Sequence, residues 1–202
     1  MWGIGPSMLG IGQTLIWRSL DGLSMEHCEL IQPAPEDIHL SGMVIGVHDD
    51  APSRGFYSVE ASGDWVTQQV RVGHENAVLE LVSRNGRWFR IDHDFQTRNS
   101  QEHELPELAG CIDIDLGLTP ATNTLPIRRL RLEIGQVATL TVAWVKFPSL
   151  EIAPLEQRYE RLSKFSYRYS STNFTAVLEV DEFGLVTRYE GGWERIAVSG
   201  AG

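Results

Sequence analysis

The sequence predicts a mainly β protein: a many-stranded antiparallel sheet rolled around a single short α-helix, open and barrel-like. Three observations predict it. Most of the chain alternates apolar and polar residues with period two, the signature of half-buried strands. Its 19 Gly and 9 Pro are spread throughout and cut it into short pieces. Helix signals are confined to one convincing place, so the sheet must curl or close to cover its own apolar face.

In chain order, strands are expected at about Gln13–Ser19, Ser24–Ile31, His39–Val47, Gly55–Ala61, Trp65–Val72, Ala77–Val82, Arg87–Ile91 and Leu108–Leu116. Further ones follow at about Leu130–Ile134, Ala138–Phe147, Phe165–Ser170, Asn173–Val180, Leu185–Tyr189 and Trp193–Val198. Val66, Val70 and Val72 separate from Thr67, Gln69 and Arg71. Thr139 to Phe147 is a β-branched and aromatic run suited to a central strand. Phe165, Tyr167 and Tyr169 share one face, and Thr175 and Glu179 point away from their apolar neighbours. Asn85-Gly86 between Arg84 and Arg87 reads as a hairpin turn, because both central residues tolerate positive φ. Asp181 to Gly184 is a second such join.

The helix is expected over Asn123 to Leu130. Asn123 or Thr124 can cap it, Pro126 sits in the first turn, and Ile127 and Leu130 are i, i+3 neighbours. A weaker helical pattern covers Leu155–Leu162. Asp92–Glu104 reads as a polar loop, and residues 1–13 as a leader before the first strand. No linker or repeat divides the chain, so residues 1–202 are expected to form one domain.

With 17 Lys and Arg against 27 Asp and Glu, the formal net charge is −10. That balance argues against nucleic acid as a partner, since phosphate contacts need clustered cations. No run approaches the ~18 apolar residues of a membrane span. The N-terminus has no basic residue before Arg18 and is broken by Gly and Pro, unlike a secretory signal. Cys28 and Cys111 fit reduced thiols in a cytoplasmic protein, and no Cys/His spacing points to zinc. Neither metal nor cofactor is expected.

The clearest chemical signal is Asp113-Ile114-Asp115. If extended, Cys111, Asp113 and Asp115 line one face and Ile112, Ile114 and Leu116 the other. In a cleft, such a pair raises one carboxyl pKa or demands a cation. Glu26 and Cys28 share a face by the same parity, so three acids converge if their strands are neighbours. The plain alternative is two solvated aspartates on an exposed strand. An EF-hand is excluded, because counting from Asp113 puts Gly117 and Leu118 at its fifth and sixth positions. No G-x-S-x-G occurs, and His27 and Cys28 point to opposite faces, so nucleophilic catalysis lacks support. Arg128, Arg129 and Arg131 either pair with nearby acids or hold a phosphate or sugar beside helix N–H groups. The six Trp suit a β core or sugar-stacking walls.

Asp113-Ile114-Asp115 followed by Thr119-Pro120-Ala121-Thr122-Asn123-Thr124-Leu125-Pro126-Ile127-Arg128-Arg129-Leu130 resembles the signature of the bacterial family called "putative glycolipid-binding". So do Glu26-His27-Cys28, Gly86-Arg87-Trp88, Gln157-x-Tyr159, Asp181-x-x-Gly184-Leu185-Val186 and Gly192-Trp193-Glu194-Arg195. The resemblance runs from about Trp17 to Ile196, and it departs from the family at Val66, Gln68 and the Asp92–Glu104 insertion. It implies a sheet wrapped around one helix, as in bacterial lipoprotein carriers, often as a homodimer. It also implies an acidic pocket for a glycolipid, lipid or sugar ligand. Carboxylates accept hydrogen bonds and polyols donate them, so acid pairs suit carbohydrate. On this reading Asp113, Asp115, Glu26 and Asn123 line the ligand site, with Arg128 and Arg129 orienting the acids. Two alternatives are a hydrolase or lyase acting through the same carboxylates, and a structural dimer whose interior is filled by side chains.

Overall fold

In a computed structural model, which describes residues 11–94 and 98–200, one 15-stranded sheet takes in every strand. Eight strands come first: β1 (Ile11–Ser19), β2 (Ser24–Ala34), β3 (Asp37–His48), β4 (Ala51–Ser62), β5 (Thr67–His74), β6 (Ala77–Arg84), β7 (Arg87–Asp94) and β8 (Asn99–Glu104). They form an antiparallel meander. A single 3₁₀ turn at Pro106–Leu108 leads to the short β9 (Ile114–Leu116), and a second at Ala121–Asn123 runs into α1 (Thr124–Leu130). Six strands complete the chain: β10 (Val137–Val145), β11 (Ile152–Ser163), β12 (Ser166–Ser171), β13 (Phe174–Val180), β14 (Val186–Tyr189) and β15 (Trp193–Gly200).

The spatial order is β8-β7-β6-β5-β4-β3-β2-β1-β15-β14-β13-β12-β11-β10-β9, so the first and last strands pair and β8 and β9 are opposite edges. Laid flat, such a sheet is about 65–70 Å wide at ~4.8 Å per strand. Yet Glu104 and Ile114 end and begin those two edges, and that stretch of chain spans at most ~35 Å. The sheet therefore has to curl, although the edges do not pair and the roll stays open. The Pro106–Leu108 turn touches both β7 and β11, bridging the two halves. Asn85 and Gly86 take the positive φ expected of the β6–β7 hairpin.

Alternating residues of strands such as β2, β4, β5 and β13 fill the interior together with the buried face of α1, namely Thr124, Leu125, Pro126 and Ile127. Trp17 and Trp88 are fully buried, and each indole N–H reaches a carbonyl, Val186 O at 2.7 Å and Cys111 O at 2.9 Å. Cys28 and Cys111 are buried free thiols.

Several expectations need correction. Leu155–Leu162 is not helical but lies within β11, because Gln157 and Tyr159 both point inward from a strand. Leu130–Ile134 forms no strand, since Leu130 ends α1 and Arg131 turns into the left-handed region. Leu108–Leu116 is extended only over Ile114–Leu116, and that piece pairs parallel to β10, which makes the sheet mixed. Cys111, Asp113, Ile114 and Leu116 are buried while Ile112 is exposed, so the simple two-face reading fails there, as does the solvated-aspartate alternative for Asp113. The polar stretch from Asp92 to Glu104 contains the end of β7 and all of β8; residues 95–97 lie outside the described ones. Residues 1–10 of the expected leader also lie outside them, and Gly12 and Gln13 already belong to β1.

Candidate functional site

The segment between β9 and the end of α1 arranges the polar chemistry, one residue at a time. Thr119 Oγ1 accepts from the Ala121 N–H at 2.9 Å and donates to Glu26 Oε1 at 2.7 Å. Thr122 Oγ1 repeats the device, accepting from the Leu116 N–H at 3.2 Å and facing Asp115 Oδ1 at 3.5 Å. Asn123 sits at the helix start without capping it. Its amide donates to Pro120 O at 3.1 Å and accepts from the Tyr159 hydroxyl at 2.8 Å. Arg129 forks onto Asp113 with two bonds of 3.0 and 2.5 Å. Arg128 turns elsewhere, its guanidinium 5.0 Å above the Trp65 ring.

The three carboxylates thus have separate partners. Asp113, fully buried, belongs to Arg129. Asp115 accepts from Gln157 Nε2 at 2.6 Å. Glu26 accepts from the Tyr57 hydroxyl at 2.5 Å and from Thr119. Burial pushes the Glu26 carboxyl up to about 8 against those two bonds, which favours its neutral form at pH 7. Burial likewise raises Asp115 to about 6 and lifts Asp113 despite Arg129.

Tyr57 reaches Glu26 only because Gly42 lies between them. Cys28, Gly42 and Tyr57 occupy one row across β2, β3 and β4, and a Cβ on Gly42 would sit 2.6 Å from the Tyr57 hydroxyl. Gly42→Ala should therefore cost about 2–4 kcal/mol, combining overpacking with a lost buried hydrogen bond. The expected readout is a lower urea midpoint at unchanged m-value. A midpoint within error of wild type would show that the ring has room to move.

A cavity of about 230 Å³ opens on this network. Asp115, Thr119, Pro120 and Asn123 form one wall, and Tyr169, Tyr189, Gly192 and Trp193 another. Tyr159, Tyr169, Phe174 and Tyr189 make a connected group of rings, Phe174 and Tyr189 being stacked at 6.1 Å. Of the six residues singled out in the sequence, Asp115 and Asn123 line this cavity, and Glu26 lies behind Thr119. Asp113 and Arg129 neutralise one another, and Arg128 lines a different cavity, so neither arginine orients Asp115 or Glu26 by a direct bond. Arg128 and Arg129 occupy the last turn of α1, away from its N-terminal N–H groups.

Tyr57 and the Tyr169–Tyr189 wall emerge only in three dimensions, as does the Asp115 partner of Gln157. An inward-facing Gln157 beside Tyr159 is visible as polar residues on a core face once the segment is known to be a strand.

The model of the family described as "Putative glycolipid-binding" matches residues 14–195. No curated protein matches the chain. A crystal structure of a DUF1089 family protein from Pseudomonas aeruginosa is similar, with 29% sequence identity and a TM-score of 0.69 over 97% of this chain and 98% of that one.

Proposed function

The chain belongs to this family, and from that premise we propose that it holds the sugar head group of a glycolipid, or a free carbohydrate, in the cavity at Asp115. The observation that carries the reading is an acceptor carboxylate beside aromatic rings. Asp115 faces the same space as Tyr169, Tyr189 and Trp193. Sugar hydroxyls donate to a carboxylate, while the apolar face of a pyranose ring packs on an aromatic side chain. The volume, about 230 Å³, falls below the roughly 300–1,000 Å³ of sites that enclose a drug-sized ligand. That supports a head group in this cavity, not a whole lipid. Fully buried Trp17, Trp88, Tyr159 and Leu125 occupy the interior where an acyl chain would otherwise lie.

A hydrolase of the two-carboxylate kind needs a second acid facing the same sugar. Among the described residues, Asp115 is the sole carboxylate lining this cavity, and Glu26 is buried behind Thr119. That favours binding over catalysis.

The test is to purify wild type and Asp115→Asn gently, extract both with organic solvent, and quantify co-purified lipid by mass spectrometry. Wild type should carry a glycolipid in amounts comparable to the protein, and Asp115→Asn should carry about tenfold less at a thermal midpoint no lower than that of wild type, since burial penalises the Asp115 charge that the amide removes. Equal loading of the two proteins sinks the role of Asp115; an empty extract from both, with no sugar binding by calorimetry, sinks the reading itself.

A further inference from the structure

On the other side of α1 a second cavity, of about 380 Å³, gathers four cations: Arg128, Arg131, Arg161 and Lys164. Most cations elsewhere face carboxylates, as in Arg71–Glu80, Arg84–Glu102, Arg87–Glu104 and Arg168–Glu160. None of these four forms an ion pair among the described residues. Arg161 spends its donors on the Leu132, Ser163 and Lys164 carbonyls, and Arg128 bonds the Glu182 carbonyl at 3.3 Å. Two acids also line the cavity. Asp181 is engaged by Arg195 and by the Phe183 and Leu185 N–H groups, which leaves the exposed Glu182 as the one opposing charge among the described lining residues.

The walls are shaped to keep the cations there. Arg128 lies over buried Trp65, and Gly184 makes room for it, since a Cβ there would come 3.0 Å from Arg128 Cδ. Arg161 and Lys164 lie over Tyr167 and Phe165. Arg131 holds a left-handed conformation with φ 47°, a position where helices normally end in Gly. A chain with net charge −10 that leaves this cluster unneutralised presents a local positive potential against its own field.

We propose that this cavity binds a phosphate ester, the phosphate held by Arg128, Arg131 and Lys164. Guanidinium forks match phosphate oxygens, and the aromatic walls accept an organic group attached to them. The proposal does not depend on the Asp115 cavity.

The test is calorimetric titration with inorganic phosphate and glycerol 1-phosphate. It is paired with co-sedimentation on vesicles of phosphatidylglycerol in phosphatidylcholine, at low and moderate salt. The proteins are wild type, Arg131→Gly, Lys164→Ser and Asp115→Asn. Wild type should bind at least one probe saturably, and Arg131→Gly and Lys164→Ser should each weaken it about tenfold. Asp115→Asn should bind like wild type. Arg131→Gly should keep or raise the thermal midpoint, because Gly relieves the left-handed residue; loss of binding then cannot be loss of fold. Saturation by the soluble esters assigns a free phosphate ester, and binding to vesicles alone assigns a lipid head group. Binding by neither, or undiminished binding by both cation variants, overturns the proposal.

Discussion

Arg129→Met is expected to destabilise the protein by about 3–5 kcal/mol at pH 7, the cost of stranding a buried charge. Asp113 is fully buried, and Arg129 supplies both bonds to its carboxylate. Without them, desolvation acts on Asp113 unopposed, and its pKa climbs further above the ordinary 3.8. The sign follows from linkage. A carboxyl raised in the folded state costs stability only where the unfolded chain ionises, so the penalty grows above about pH 4 and vanishes below it. The loss should therefore be large at pH 7 and small near pH 4, by urea unfolding at the two pH values. Adding Asp113→Asn to the Arg129→Met chain should recover most of it at pH 7, because a buried ion pair is often dispensable once both charges go. A loss of equal size at both pH values, or no recovery in the double variant, would locate the role of Arg129 in packing of its stem.

How much of this was legible in the sequence depended on whether a face is buried. Strands such as β4 and β13 announce themselves because one face meets the core and alternation follows. β8 has all six residues exposed, so neither face selects apolar side chains. It carries Glu102 and Glu104 at an open edge, a charged border that discourages edge-to-edge pairing. Read locally, such a strand is a polar loop. β11 failed in the opposite way. Leu155, Tyr159 and Leu162 mimic helical spacing, while the strand's inward positions, Gln157 and Tyr159, are a polar pair chosen to reach Asp115 and Asn123. At the site, Thr119, Thr122, Asn123 and Arg129 were conspicuous as a string, but their targets were not. The partners lie 93 positions away for Thr119–Glu26 and 36 for Tyr159–Asn123, and only sheet register brings them together. Asp113 and Asp115 looked like a pair because they are near in sequence. The short extent of β9 sends them to different partners.

Glu26→Gln should stabilise the protein at pH 8 by several kcal/mol and leave it nearly unchanged at pH 4.5. In the folded chain this carboxyl is raised from 4.5 to about 8 by burial, against the bonds from Tyr57 and Thr119. Below pH 4.5 it is protonated folded or unfolded and contributes nothing. Between the two values only the unfolded chain ionises, so stability falls by about 1.4 kcal/mol per pH unit. Above pH 8 the loss levels off at roughly 5 kcal/mol. Asp115, raised from 3.8 to about 6, adds a second decline over its own narrower window in wild type and variant alike. The amide oxygen of the substituted side chain would still accept from Tyr57 and Thr119, and Glu26 Oε2, which the amide nitrogen replaces, has no partner to lose. Urea midpoints from pH 4.5 to 8.5 should thus give two curves that start together and diverge, wild type falling faster. Parallel curves would place the cost of Glu26 in its shape, and a wild type more stable at pH 8 would mean that its neighbours stabilise the charge. Because Thr119 both binds Glu26 and lines the Asp115 cavity, the same variant separates charge from geometry there. If ligand loading is unchanged in Glu26→Gln but lost in Asp115→Asn, Glu26 acts as a neutral acceptor that fixes the Thr119 hydroxyl, and Asp115 is the acid that meets the sugar.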